Sequence, residues 1–113
     1  MTNFPFYQHH IVKVIFQKEV TLNEELMNQI SDSLIKDLKL NVVSQTKYEF
    51  TNDGLTKVWI LSQSHLVIHS WPENDALHID LMTCNPSTFI KEKMKNCFSS
   101  FLVKEISIIK LDY

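Results

Sequence analysis

Several side chains that can carry out chemistry lie within one short segment, "SQSHLVIHSWPE", which spans residues 62–73. The segment combines serines, two histidines, a tryptophan and a glutamate with apolar residues in the alternation that is typical of a β-strand. Polar groups buried in a strand need partners, or they cost about 1–3 kcal/mol each. Departures from ordinary strand composition are expected at functional sites, so this segment is the first candidate for one.

Strand alternation constrains how these side chains can cooperate. In a regular strand His65 and His69 share one face, whereas Ser64 and Ser70 share the other. Ser64 and His69 are therefore expected to point apart. They can act together only if the chain bends or breaks between them.

The residues alone leave several interpretations open. The histidines can be satisfied core or interface residues. His65, His69 and Cys84 offer three zinc ligands, but their spacing matches no structural zinc pattern, and the prediction is a site without metal. Cys84 can also pair with a histidine as a hydrolase nucleophile, although no local signature supports that chemistry.

Composition narrows the class of protein. A chain of 113 residues with 44% hydrophobic content fits a single domain, residues 1–113. All eleven basic residues are lysines and the net charge is −2, which argues against nucleic-acid binding. No apolar run is long enough to cross a membrane, and no signal pattern is present, so a cytoplasmic protein is expected. Cys84 and Cys97 are then predicted to be free thiols.

Two segments have helical periodicity. The segment "TLNEELMNQISDSLIKDLKL" is predicted to begin with a capping box of Thr21 and Glu24. In "NPSTFIKEKMKNCFSSFL", Asn85 is the predicted cap and Pro86 the first helical residue. The predicted buried positions are Leu22, Leu26, Ile30, Leu34 and Leu38 in the first helix, and Ile90, Met94, Phe98 and Phe101 in the second.

The remaining segments predict strands. They are "QHHIVKVIFQ", "NVVSQTKYEF", "LTKVWILSQSHLVIHSW" as one long strand or two, "ALHIDLMT" and "KEISIIKL", with a turn at "TNDG". The order strand, helix, four strands, helix, strand favours an α+β two-layer sandwich, an antiparallel sheet with both helices on one face. The other face of the sheet then needs a partner, which a homodimer would supply.

The central third of the chain resembles a known family. "SHLVIHSWPE" followed by "IDLMTCN" is similar to the motifs of the short prokaryotic S-adenosylmethionine decarboxylase proenzymes. The spacing from Ser64 to Cys84 agrees without a gap. The resemblance implies the fold of that family and a self-cleaving, pyruvoyl-dependent decarboxylase.

The resemblance also implies roles for individual residues. Cleavage at Gln63–Ser64 would give a β chain of residues 1–63 and an α chain of residues 64–113. Ser64 would become the pyruvoyl group that forms a Schiff base with substrate, an electron sink for decarboxylation. His69 would assist processing, Cys84 would donate a proton to the product, and Thr56 stands where the family has a supporting serine. For substrate, Phe50 would stack on adenine and Glu73 would hold the ribose hydroxyls.

Some positions depart from the family pattern. Gln63 replaces a glutamate, Lys57 and Asn85 replace glycines, and residues 74–78, "NDALH", replace a stretch that is typically aromatic and rich in glycine and alanine. These changes fall mainly on substrate recognition and spare the processing residues.

The resemblance implies S-adenosylmethionine as substrate, so that the product supplies the aminopropyl donor for spermidine biosynthesis. The alternatives are a pyruvoyl-dependent decarboxylase of ornithine or arginine, for which Asp75 or Glu49 could bind the distal cation, and a non-catalytic regulatory relative. Related enzymes pair their protomers with the sites near the interface, so a homodimer is expected.

Overall fold

The segment from Leu55 to Trp71, which the sequence leaves as one strand or two, forms a hairpin with a two-residue turn at Ser62 and Gln63. The computed structural model describes residues 3–113; Met1 and Thr2, where the predicted domain begins, lie outside the described residues. The elements are β1 (Gln8–Phe16), α1 (Glu24–Asp37), β2 (Val42–Glu49), β3 (Leu55–Leu61), β4 (Ser64–Trp71), β5 (Ala76–Thr83), α2 (Ile90–Cys97) and β6 (Val103–Leu111). The predicted order of elements is confirmed.

The six strands form one antiparallel sheet in the order β2-β3-β4-β5-β1-β6. The first strand of the chain is thus an inner strand, hydrogen-bonded to β5 on one side and to β6 on the other. A strand from before the Ser62–Gln63 turn, β1, therefore lies between two strands from after it.

Both helices cover the same face of the sheet, as predicted. The apolar residues on the inner faces of α1 and α2 join the inward side chains of the strands in a single buried cluster. All five positions predicted for the buried stripe of α1 are at most 8% exposed. The cluster includes Val12, Phe16, Leu26, Ile30, Leu34, Trp59, Leu66, Ile68, Ile79, Leu81, Met94 and Phe98. The fold class predicted from the sequence, an α+β two-layer sandwich, is confirmed.

No helix in residues 3–113 covers the opposite side of the sheet, called the open face below. Its side chains alternate with the buried ones along β1, β3, β4 and β5 and are half-buried or exposed. They include Ile11, Val58, Ile60, His65, Val67, His69, Trp71, His78, Asp80 and Ile109. Neither helix in the described part of the chain has the length and hydropathy of a membrane span.

The predicted helix starts are wrong for both helices. The N-cap of α1 is Asn23, whose side-chain oxygen accepts from the Leu26 amide at 2.9 Å, so Thr21 and Glu24 form no capping box. Helix α2 begins at Ile90, after Phe89 in the left-handed conformation, and not at Pro86. The residues just before α2 are hydrogen-bonded to distant parts of the chain.

The loop before α2 is held open by contacts from distant parts of the chain. The Gln8 side-chain amide donates to the Ser87 carbonyl at 2.9 Å, and the Asn85 side chain donates to the Lys39 carbonyl at 3.4 Å. The Asn85 side chain therefore contacts another loop, and α2 begins only at Ile90.

Lys57, one of the departures from the family pattern, has a structural role. Lys57 is only 7% exposed. Its ammonium donates to Glu24 Oε2 at 3.1 Å and to Asn28 Oδ1 at 2.7 Å. A buried charge of this kind needs both partners. Lys57 thus joins β3 to the first turn of α1.

Candidate active site

The residues predicted to carry the chemistry form two groups, one at each end of the β3–β4 hairpin. Gln63, Ser64 and Cys84, the turn group, lie where β3 turns into β4. Thr56 and His69, the histidine group, lie near the opposite end of the same strands.

In the turn group, a thiol contacts the carbonyl that precedes Ser64. The Cys84 thiol donates to the Gln63 carbonyl oxygen at 3.1 Å. The Ser64 hydroxyl donates to the Ser62 carbonyl at 3.4 Å, so it must rotate to reach the neighbouring Gln63 carbonyl carbon. The arrangement can polarise the Gln63 carbonyl, because a donor at its oxygen favours the negative charge that nucleophilic attack creates.

The backbone at Gln63 is strained. Its φ of 62° lies in the left-handed region, which costs a residue other than glycine roughly 1–2 kcal/mol. The turn borders a cavity of about 330 Å³ that is also lined by Asn41, Thr83 and Cys84. The Thr83 hydroxyl is buried there and has no hydrogen-bond partner among the described residues. The Gln63–Ser64 bond is therefore an exposed, strained bond beside polar groups.

In the histidine group, a hydroxyl orients the imidazole. Thr56 and His69 are direct cross-strand partners, and Thr56 Oγ1 lies 2.8 Å from His69 Nδ1. The hydroxyl fixes the ring and leaves Nε2 available for another group. The His69 ring also lies 5.9 Å, centre to centre, from the rings of Trp71 and His78. Burial, and then the charge of His69, lower the pKa of His78.

The predicted substrate residues lie near the histidine group. Phe50 lines a cavity of about 290 Å³ together with Thr56, His69 and Trp71. Glu73 is exposed nearby, and its carboxylate accepts from the Asn52 side chain at 3.3 Å. An aromatic ring, an imidazole and a carboxylate thus lie at the same end of the hairpin.

One chain does not bring the two groups together. Strand β4 is continuous from Ser64 to Trp71, so Ser64 and His69 are five residues apart along it, roughly 16–17 Å. His65, His69 and Cys84, the three candidate zinc ligands, are also not brought together in this chain. Each contacts a different residue: His65 contacts Asp80, His69 contacts Thr56 and Cys84 contacts Gln63.

The two thiols differ in their surroundings, and their reactivity is expected to differ accordingly. Cys84 is half-exposed, whereas Cys97 is buried, and burial raises the pKa of the Cys97 thiol to about 12. With iodoacetamide at neutral pH, Cys84 should be alkylated and Cys97 should not react until the protein is unfolded. Peptide mass mapping before and after denaturation checks this; equal labelling of both thiols in the native protein would contradict it.

The open face carries a cluster of ionisable side chains that the sequence did not predict. His9 Nε2 and His65 Nε2 both contact Asp80 Oδ1, at 2.7 and 3.0 Å. Burial opposes ionisation of Asp80, but the hydrogen bonds from His65 and His9 outweigh it and lower the pKa of the carboxyl. The three residues come from three strands, and only the alternation of His9 with buried residues could have hinted that it lies on this face.

Comparison with known proteins agrees with the fold and with the motif. The sequence model of the family described as S-adenosylmethionine decarboxylase matches residues 8–112. A relative named S-adenosylmethionine decarboxylase proenzyme, from Archaeoglobus fulgidus, is 27% identical over 97 residues, 84% of this chain and 83% of that protein. A protein of the same name from Clostridium botulinum is 29% identical over 97 residues, 80% of this chain and 82% of that protein.

A solved structure has the same fold. The crystal structure of the adenosylmethionine decarboxylase from Aquifex aeolicus superposes with a TM-score of 0.77 at 21% identity, over 95% of this chain and 89% of that chain. Since the matching family model extends over nearly the whole chain, the protein belongs to the S-adenosylmethionine decarboxylase family.

Proposed function

We propose that this protein is a self-processing, pyruvoyl-dependent decarboxylase whose substrate is S-adenosylmethionine. The observation that carries the proposal is the contact between the Cys84 thiol and the Gln63 carbonyl, at the bond that self-cleavage must break. Membership of the family, with relatives named as proenzymes, supports the same reading.

Cleavage begins with Ser64. Its hydroxyl attacks the Gln63 carbonyl carbon, the amide bond to the Ser64 nitrogen breaks, and an ester forms between the two residues. Removal of the Ser64 Cα proton then eliminates Gln63 as a new carboxylate and leaves dehydroalanine at position 64, which water hydrolyses to the pyruvoyl group with release of ammonia. The strained φ of Gln63 and the hydrogen bond from Cys84 both favour the first step. The products are a β chain of residues 1–63 and an α chain of residues 64–113.

The residues of the turn group fit a pyruvoyl group at position 64. Ser64 lies at an exposed turn beside a cavity, so its new N-terminus would face solvent and not the core. When formed, the group accepts the electrons that are released as carbon dioxide leaves. Cys84, whose thiol contacts residue 63, is placed to hold a proton for the substrate carbon at that site.

A complete site requires a second copy of the chain. His69 and Thr56 are too far from Ser64 of their own chain to act on it, yet both belong to the open face. Open-face side chains such as Ile60, Trp71 and Ile109 are 47%, 44% and 45% exposed, which is typical of an interface. Two copies joined by their open faces, with a two-fold axis near the middle of β4, would bring the turn group of one against the histidine group of the other.

One cavity offers a place for a cationic group of the substrate. The cavity on the other side of Phe50 is lined by four carboxylates, Glu24, Glu49, Asp53 and Asp75. Two of them, Glu49 and Asp75, were the residues considered for an ornithine or arginine side chain. Negative charge in this place suits a cationic substrate, and S-adenosylmethionine is also cationic.

Release of labelled carbon dioxide from carboxyl-labelled S-adenosylmethionine, ornithine and arginine decides among these substrates. We expect turnover of S-adenosylmethionine and at least about 100-fold lower kcat/KM for the two amino acids, which have no adenosine to stack on Phe50. The Ser64→Ala protein is the blank. Turnover of ornithine or arginine alone would change the proposed substrate but leave the proposed pyruvoyl chemistry in place. No turnover of any substrate, together with an uncleaved chain by mass spectrometry, would favour a non-catalytic regulatory relative.

A further inference from the structure

The open face carries a cluster that the proposed decarboxylation does not use. We call it the His–Asp–His cluster: His9 on β1, His65 on β4 and Asp80 on β5. The register of the sheet creates it, because His9 and His65 are both cross-strand partners of Met82, one from each side of β5. Asp80 is two residues along β5 on the same face, so its carboxylate projects between the two imidazoles.

The geometry of the cluster is convergent. Both Nε2 atoms point at one carboxylate oxygen, and the ligand atoms of the three residues lie within 4.8 Å of one another. The rings are perpendicular, with centres 6.1 Å apart. In a single chain the side chains of His9, His65 and Asp80 are 15%, 37% and 30% exposed, so the group is held by its surroundings and reaches the surface of the open face.

A further contact orients His9. The Tyr113 hydroxyl lies 2.9 Å from His9 Nδ1. When a metal ion replaces the Nε2 proton that now faces Asp80, neutral His9 keeps its proton on Nδ1 and can donate it to the Tyr113 hydroxyl. An outer partner that fixes the tautomer in this way is a regular feature of histidines that bind metals.

We propose that the His–Asp–His cluster binds one first-row divalent transition-metal ion of the zinc type. Two imidazole nitrogens and one carboxylate oxygen are ligands that such ions take, with a fourth position left for water. An ion about 2.0–2.1 Å from each ligand places tetrahedral ligand atoms about 3.3 Å apart, so the observed 2.7 and 3.0 Å contacts need to open by about half an ångström. The ligand atoms of the two histidines, which lie within 4.8 Å of each other, must also rotate to that separation. Without metal, protons between the imidazoles and the carboxylate hold the same contacts. The experiment below distinguishes the protonated cluster from the metal-bound one.

Cobalt serves as the probe, because its visible absorption reports coordination by the protein. The full-length protein is stripped with a chelator and titrated with Co²⁺, and Zn²⁺ is then added to displace it. We expect one Co²⁺ per chain with a Kd of about 10 µM or lower, and tighter binding of Zn²⁺. His9→Ala and Asp80→Asn should each weaken binding by at least about 100-fold, and Tyr113→Phe by about tenfold.

Matched controls come from the same protein. His78→Ala removes an open-face histidine outside the cluster, and Cys84→Ser removes the half-exposed thiol; both should bind Co²⁺ within about threefold of wild type. Circular dichroism checks that each variant is folded. If the Asp80→Asn protein does not fold, the Tyr113→Phe protein still tests the proposal. Absence of Co²⁺ binding by the wild-type protein, or unchanged affinity in His9→Ala, would show that protons alone occupy the cluster.

Discussion

The Ser64→Ala protein should remain a single chain of about 13.3 kDa under denaturing conditions, whereas the wild-type protein separates into residues 1–63 and 64–113. The reason is chemical: alanine has no hydroxyl to attack the Gln63 carbonyl, and no other described hydroxyl is as close in the chain to that bond. The expected effect is a complete loss of cleavage over days of incubation. Intact mass spectrometry measures it, and the smaller wild-type chain should be blocked to N-terminal sequencing.

Ser62→Ala is the matched control. Ser62 lies on the other side of Gln63 in the same turn, and its backbone carbonyl, which accepts from Ser64, survives the substitution. This variant should cleave at a rate within about threefold of wild type. Cleavage of the Ser64→Ala protein at the same bond, or loss of cleavage in Ser62→Ala alone, would contradict the assignment of the nucleophile.

Two inactive variants should restore activity when they share a dimer. Ser64→Ala damages the turn group, and His69→Ala damages the histidine group. If each site combines the turn group of one chain with the histidine group of the other, a mixed dimer has one site with both defects and one intact site. Purified mixed dimers should then have about half of wild-type activity, because each has one intact site of two.

The experiment uses coexpression with two different tags, tandem purification and measurement of carbon dioxide release. Ser64→Ala with Cys84→Ala is the control pair, since both defects lie in the turn group and every mixed dimer has a defect in each site. That pair should stay inactive. No recovery by Ser64→Ala with His69→Ala in verified mixed dimers would place the whole site within one chain. Equal recovery by both pairs would contradict the assignment of Ser64 and Cys84 to the same group.

Local periodicity predicted the sheet and the buried stripe of α1 because those features depend on neighbouring residues. The helix starts depended also on which side chain caps the helix and on contacts with distant residues. For α1, Thr21 and Asn23 are both good caps two residues apart, and the Leu26 amide selects Asn23. For α2, the loop that precedes the helix is hydrogen-bonded to Gln8, which is remote in the sequence.

The candidate site divides in the same way. The motif predicted roles for Ser64 and Cys84, but only the fold shows that the end of β5 places the thiol on the Gln63 carbonyl. The distance between Ser64 and His69 followed from strand alternation and from the continuity of β4. The His–Asp–His cluster could not be predicted, because it requires the register of three strands at once.

The order of strands has a consequence for the recovery of the protein after denaturation. Cleavage at Gln63–Ser64 would leave β1, β2 and β3 in one chain and β4, β5 and β6 in the other, and β1 is hydrogen-bonded between β5 and β6. The two chains interlock and cannot separate without opening the sheet. Once unfolded, however, they must find each other again, so refolding changes from a first-order to a second-order process. The mature protein is then preserved by the slowness of unfolding and not by reversible folding.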